Sequence, residues 1–167
     1  MLFLLVPLDR AEHDVNAFSS GNEVCDDDLR KQSRNHRNRT LVMADGQRIV
    51  VFSRYSYVQA GPDKTLLPYL RIDFVARDVD FGKGAGTEIM LRTFVRIAQD
   101  PKVTECKGIL IDSLNCGDAI MCKARWRFFT EKIGFERLGP GTNPYGYAFL
   151  AIDVVRAIAE RAKKTRG

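Results

Sequence analysis

The segment Phe81-Gly-Lys-Gly-Ala-Gly86 constrains the fold more than any other part of the chain. Its glycines at 82, 84 and 86 carry no Cβ, so the backbone N–H groups of this turn can approach an anion closely. The apolar run Ile72–Ala76 precedes the turn, and Met90, Phe94 and Ile97 follow it at helical spacing. A strand, a glycine turn and a helix N-terminus in this order predict a site for a phosphate-bearing ligand.

Two common nucleotide-binding patterns do not fit this turn. A P-loop needs G-x-x-x-x-G-K-[ST], and here Lys83 stands between glycines with no Ser or Thr in the required place. A dinucleotide fingerprint needs G-x-G-x-x-G beside the first strand, whereas this G-x-G-x-G lies in mid-chain. Glycines that serve only a tight turn remain the alternative.

The totals are those of an ordinary globular chain with a basic surface. The length of 167 residues predicts one domain. The formal net charge of +5 indicates an anionic partner, or it only aids solubility. The four cysteines form no C-x-x-C pair and there are two histidines, so we expect no metal site and reduced thiols in the cytoplasm. The apolar residues 1–8 are too short for a signal peptide or a membrane span.

Periodicity and turn residues predict an alternation of strands and helices. Strands are expected over residues 2–6, 40–44, 48–58, 66–77, 108–113, 135–138 and 145–152. Helices are expected over residues 13–18, 85–99, 118–133 and 154–164. A further helix is expected to start at the carboxylates of Asp26–Asp28 and to run through a basic stretch to Arg39. Asp45-Gly46 predicts a hairpin turn, and Gly134 the end of a helix. The order predicts an α/β fold with a mixed sheet.

Two of these segments resemble motifs of the GCN5-related N-acetyltransferases. That family carries Q/R-x-x-G-x-G/A between its fourth strand and third helix, and Phe81–Gly86 is similar, with Phe81 in place of Gln or Arg. The segment Ala124–Phe135 resembles the family's A-x-x-F-Y-x-x-x-G-F. The resemblance covers roughly residues 40–153.

The resemblance implies one acetyltransferase-like domain over residues 1–167. Residues 1–39 would supply a first strand and acceptor-side helices, 40–153 the cofactor-binding core, and 154–167 a basic C-terminal helix. The implied fold is a mostly antiparallel sheet of six or seven strands, splayed at the fourth and fifth, with four or five helices.

The implied activity is transfer of an acetyl group from acetyl-CoA to a primary amine by direct attack. Backbone groups of the fourth strand would hold the pantetheine arm, and the glycine turn would hold the pyrophosphate. The implied cofactor-binding residues are Phe74, Val75, Ala76, Phe81, Gly82, Lys83, Gly84, Ala85 and Gly86.

The expected proton donor to the leaving thiolate is missing. In the resemblance Phe129 occupies the place of the family's tyrosine, and it has no hydroxyl. Ser113, Tyr145 and Tyr147 are candidate replacements, and Asp73 is a candidate base toward the amine or an outward-facing strand carboxylate. The alternative is a catalytically weak module that binds coenzyme A or a partner protein.

The segment Phe18–Lys31 resembles the start of the toxin-type acetyltransferases, which carry F-x-C/S-G-x-x-x-L-D-x-W/Y-L. That branch implies aminoacyl-tRNA as the acceptor, an antitoxin partner and a possible homodimer; a small molecule or a protein amine is the alternative acceptor. The same segment and the residues after it form a basic stripe, which consists of Arg30, Lys31, Arg34, Arg37 and Arg39. The stripe either binds a phosphate backbone or is a solvated face whose charge is balanced by Asp26–Asp28.

Overall fold

One seven-stranded sheet organises the chain in a computed structural model, which describes residues 5–32, 39–60, 66–82, 84–112, 119–137 and 147–164. The strands are β1 (Val6–Pro7), β2 (Thr40–Asp45), β3 (Arg48–Ala60), β4 (Leu67–Arg77), β5 (Gly108–Asp112), β6 (Glu136–Arg137) and β7 (Tyr147–Ala151). Their order is β1-β2-β3-β4-β5-β7-β6. Only β4 and β5 run parallel among the described pairs. The predicted mixed, mostly antiparallel α/β sheet is confirmed, and β6 lies at one edge of it.

Local turn chemistry sets two of the boundaries. The hairpin of β2 and β3 turns at Gly46, whose φ of 59° lies in the left-handed region, as Asp45-Gly46 predicts. Gly134 has a φ of 94° and closes the helical segment before β6, as predicted for a C′ glycine.

Four α-helices flank the sheet in the described residues: α1 (Glu23–Gln32), α2 (Gly86–Ala98), α3 (Ala119–Arg127) and α4 (Ile152–Lys164). A short 3₁₀ helix, Pro101–Glu105, follows α2 and lies outside the predicted elements. Pro101 suits its first turn because it has no N–H to satisfy, and the Asp100 carboxylate accepts from the Lys102 N–H at 3.0 Å.

The start of α1 differs from the sequence prediction. Asn22 caps the helix, since its side-chain oxygen accepts from the N–H groups of Val24 at 3.0 Å and Cys25 at 3.3 Å. Asp26 therefore lies in the first turn of the helix, and Asp27 and Asp28 lie beyond it. Carboxylates favour a helix start, which is why the acidic cluster predicts one, but an asparagine four residues earlier makes the actual cap.

The predicted helix over residues 13–18 is wrong, because the segment consists of bends and one isolated bridge. The Asp9 carboxylate accepts from the Ala11 N–H at 2.9 Å, and the Asp14 carboxylate accepts from the Asn16 N–H at 2.9 Å. Such side-chain bonds offer the backbone an alternative to helical pairing. Asp14 also forms an isolated bridge with Arg48.

The core lies on both faces of the sheet. Successive residues of β3 point to opposite faces, so Val51 belongs to the larger cluster under α2 and α4, and Phe52 to the smaller cluster under α1. In α2, Met90, Phe94 and Ile97 are fully buried, as their spacing predicts. Within the described residues, no helix has the length and apolar character needed to cross a bilayer.

Candidate active site

A cleft opens where β4 and β5 part. The two strands are paired from Leu70 opposite Ile109 to Ile72 opposite Ile111, and β4 then continues to Arg77 paired only with β3 in the described sheet. The opening is about 540 Å³ in volume, which is within the range of small-molecule sites. Its position leaves the backbone of the second half of β4 available to a ligand.

A β-bulge marks the point of separation. Phe74 lies opposite Arg54 and Ile72 opposite Tyr55, so Asp73 is an extra residue on β4. A bulge bends its strand and re-aims the neighbouring side chains. It coincides here with the last pair between β4 and β5.

The glycine turn lies between the end of β4 and the start of α2. Gly84 has a φ of 93°, a conformation that favours glycine. Gly86 starts α2, and a Cβ on Gly86 would lie 3.4 Å from the Phe128 ring. In the described part of the chain the residue at the start of α2, Ala85, makes no side-chain capping bond, and a helix N-terminus of this kind favours an anionic ligand.

Neighbouring residues fix the approach to this turn. The Arg77 guanidinium donates to the carbonyls of Asp78, at 3.3 Å, and Phe81. The buried Asp78 carboxylate accepts from the Ser19 N–H at 3.2 Å and from Arg48 at 2.8 Å. Burial alone raises the pKa of Asp78, but hydrogen bonds from the backbone of Asp80 and Ser19 and from Arg48 outweigh it, and the pKa lies below its usual value.

The N-terminal segment forms one wall of the cleft. Ser20, Asn22 and Cys25 line it, and the Ser19 carbonyl accepts from the Val79 N–H at 2.8 Å. Desolvation raises the pKa of the Cys25 thiol, which is therefore protonated at neutral pH.

The opposite wall contains a π-helical segment that sequence periodicity did not predict. Phe128–Ile133 form it directly after α3, and the Phe129 carbonyl accepts from the Gly134 N–H at 3.1 Å, five residues on. Phe128 and Phe129 line the cleft. In the motif A-x-x-F-Y-x-x-x-G-F the tyrosine lies four residues before the glycine, so the extra residue of the π turn changes that spacing. Counted back from Gly134, the matching position is Thr130, whose hydroxyl donates to the Trp126 carbonyl at 2.9 Å.

A buried charge network joins α1 to the bulge, and sequence reasoning missed it. The Arg54 guanidinium pairs with Asp28 of α1 and lies 3.7 Å from Asp73, and Arg71 donates to Asp73 at 2.7 Å. The side chains of Arg54, Asp28 and Asp73 are all about nine-tenths buried. Asp73 lines the cleft, but two guanidinium groups already contact it, which weakens its case as a free base. Arg54 pairs with Asp28 across 26 positions of the chain, and no local pattern marks such a pair.

The predicted cofactor residues meet the cleft in part. Those that line it are Phe74, Val75, Ala76 and Gly86. Phe81 packs against the larger core cluster, Gly82 and Gly84 are exposed, and Ala85 is half-buried. Lys83 lies outside the described residues.

The predicted proton donors, Ser113, Tyr145 and Tyr147, have no described side chains. Ser113 and Tyr145 lie outside the described residues. The backbone of Tyr147 lies opposite Asp112 in the pairing of β5 with β7, and its side chain is not described. Their role as proton donors stays a prediction.

The predicted basic stripe is described only in part. Arg30 and Lys31 both pair with Asp27, at 3.6 and 2.6 Å, and the Arg39 guanidinium lies 5.2 Å from the centre of the Tyr57 ring. Arg34 and Arg37 lie outside the described residues. Arg30 and Lys31 at the end of α1 therefore share one acid on their own helix.

Comparison with known proteins points to one group of folds. No family model matches the chain, and no curated protein matches it significantly. Among solved structures, a tyrosine-to-phenylalanine mutant of the toxin AtaT, bound to the C-terminus of the antitoxin AtaR and acetyl-CoA, superposes with a TM-score of 0.73 at 16% identity, over 93% of this chain and 97% of that one.

Two further structures agree. A tyrosine-to-phenylalanine mutant of KacT gives a TM-score of 0.72 at 18% identity, over 95% of this chain and 99% of that one. AtaT complexed with acetyl-methionyl-tRNAfMet gives 0.68 at 16% identity, over 94% and 99%. The chain thus has the predicted mixed α/β fold, which it shares with the toxin AtaT and with KacT.

Proposed function

We propose that this protein is an N-acetyltransferase that moves an acetyl group from acetyl-CoA to a primary amine, and that the amine belongs to aminoacyl-tRNA. The observation that carries the proposal is the separation of β4 from β5 beyond Ile72, directly before a glycine turn and a helix N-terminus. An extended arm that ends in a pyrophosphate needs both features in this order.

The residues of the cleft fit coenzyme A. Backbone groups of Phe74–Ala76 would bind the amide-bearing arm, and N–H groups of Gly84–Gly86 would bind the pyrophosphate. The apolar walls, Ile72, Ile111 and Phe129 among them, suit the methyl and thioester end of the cofactor. Acetyl-CoA supplies the activated acetyl group.

The chain's own contribution to the chemistry is positioning and polarisation. A backbone N–H at the bulge of β4 would polarise the carbonyl that the amine attacks. Phe128 and Phe129 offer no proton to the leaving thiolate. A thiol with a pKa near 8.5 is a good leaving group, so water reaching this open cleft suffices to protonate it.

The acceptor is inferred from two observations. The solved relatives include a toxin complexed with acetyl-methionyl-tRNA, and the segment Phe18–Lys31, which resembles the toxin-type start, forms one wall of the cleft. Such a protein would act in the cytoplasm, where charged tRNA occurs. An antitoxin partner and a homodimer are further parts of this proposal.

The test is transfer of labelled acetyl groups to charged tRNA. Incubation with acetyl-labelled acetyl-CoA and a panel of aminoacyl-tRNAs should label the amino acid, and deacylated tRNA should stay unlabelled. The Gly84→Glu variant should lose the transfer. Labelling of small amines or protein N-termini alone would replace the acceptor, and binding of acetyl-CoA without transfer to any amine would support the non-catalytic alternative.

A further inference from the structure

The cleft has an uneven distribution of charge. In the described residues its charged lining consists of Asp73, Arg77 and Arg125. Asp73 is balanced by Arg54 and Arg71. The two arginines therefore leave the cleft with a positive charge that its own acids do not cancel.

Arg77 already has a task within the fold. Its guanidinium donates to the carbonyls of Asp78 and Phe81 and so holds the loop that leads into the glycine turn. Those acceptors are neutral and fix the position of the side chain.

Arg125 is different. It is half-buried on α3 and lines the cleft, and among the described residues no carboxylate lies within ion-pair distance of it. Two acids of α1 have partners of their own, since Asp26 accepts from Ser20 and Asp28 pairs with Arg54. A guanidinium that is partly desolvated without a counter-ion favours an anionic ligand.

Arg125 of α3 and Cys25 of α1 line the same cleft, so both helices border it. Burial raises the pKa of Cys25, and the charge of Arg125 opposes that effect.

We propose that Arg125 is a receptor for a phosphate group in this cleft, separate from the glycine turn. The planar guanidinium can bind two phosphate oxygens at once. The inference rests on the proposed function, because that function supplies the ligands. The phosphate group would be either the 3′-phosphate of coenzyme A or a phosphodiester at the acceptor end of tRNA.

Two binding experiments separate these sources, each with wild-type protein and the Arg125→Gln variant. Arg127→Gln is the matched control, because Arg127 lies on the same helix, is exposed, and pairs with Glu131 at 4.0 Å. Melting temperatures of both variants should equal that of the wild type, which shows that the fold is retained.

In the first experiment coenzyme A and 3′-dephospho-coenzyme A are titrated calorimetrically. If the cofactor supplies the phosphate, Arg125→Gln binds coenzyme A about tenfold more weakly or worse, binds the dephospho form as the wild type does, and Arg127→Gln changes neither affinity.

In the second experiment deacylated tRNA is titrated at several salt concentrations. If tRNA supplies the phosphate, Arg125→Gln lowers the affinity and reduces the slope of log K against log salt by about 0.7–0.9, a larger change than Arg127→Gln causes. Unchanged binding of both ligands by Arg125→Gln overturns the inference and leaves the proposed function intact. A wild-type protein that binds neither ligand overturns both.

Discussion

Ile72 of β4 lies opposite Ile111 of β5, and in the described sheet no later pair joins these strands. The bulge at Asp73 follows immediately. From there to Arg77, β4 pairs with β3 on one side and borders the cleft on the other. One backbone feature thus creates both the opening and the free edge that a ligand can use.

The glycine turn is held in place by a buried carboxylate, and its loss should destabilise the fold. Asp78→Asn weakens the bonds to Ser19 and Arg48, at an expected cost of about 1–3 kcal/mol in the free energy of unfolding. Asp80→Asn is the control, because Asp80 also bonds Arg48 but is exposed, and it should cost little. Urea denaturation measures both, and equal midpoints for the two variants would contradict the assigned role.

The same carboxylate predicts a pH dependence of stability. The pKa of Asp78 is lowered in the folded state, so its contribution is fully present above the unfolded-state value near 3.9 and is lost as the pH falls through the lower folded value. Urea midpoints of the wild type should fall over this acid range more steeply than those of Asp78→Asn. Parallel curves for the two proteins would refute the assignment.

The buried network predicts a strong difference between two arginines. Arg54→Met leaves Asp28 and Asp73 buried without their shared cation, which should cost about 3–5 kcal/mol in the free energy of unfolding. Arg71→Met removes a partly exposed partner of Asp73 and should cost at most about 1 kcal/mol. Comparable losses in chemical denaturation would show that the network does not anchor α1.

The aromatic wall predicts that a restored hydroxyl is not needed. Phe129→Tyr should leave the rate of acetyl transfer unchanged, because the thiolate leaves without a general acid and the π turn alters the spacing of this position to Gly134. Phe128→Tyr is the control on the neighbouring position. An increase of about 10²-fold or more in the transfer rate of Phe129→Tyr is the size of a general-acid contribution. It would mean that the natural enzyme is slow because it lacks this hydroxyl.

Local signals in the sequence predict much of the fold. The glycine turn, the hairpin at Gly46 and the helix end at Gly134 each follow from residue types that favour one backbone conformation. The stripe of Met90, Phe94 and Ile97 predicts the buried face of α2 because its period is that of a helix.

The rest depends on contacts that periodicity does not encode. In place of the helix predicted over 13–18, the Asp14 carboxylate accepts from the N–H groups of Asn16 and Ala17. The pairing of Arg54 with Asp28 and Asp73 joins residues far apart in the chain. The π turn at Phe129 adds one residue to a helix, and hydrophobic spacing is too coarse to reveal it.

The central claim is that the cleft binds acetyl-CoA through the glycine turn, and calorimetric titration with acetyl-CoA tests it most directly. Gly84→Glu and Gly46→Glu form a matched pair, since both glycines have positive φ and open space where a Cβ would stand. The account predicts an affinity of about micromolar for the wild type and Gly46→Glu, and no measurable binding for Gly84→Glu. A wild type that does not bind, or a Gly84→Glu variant that binds as well as the wild type, would contradict it.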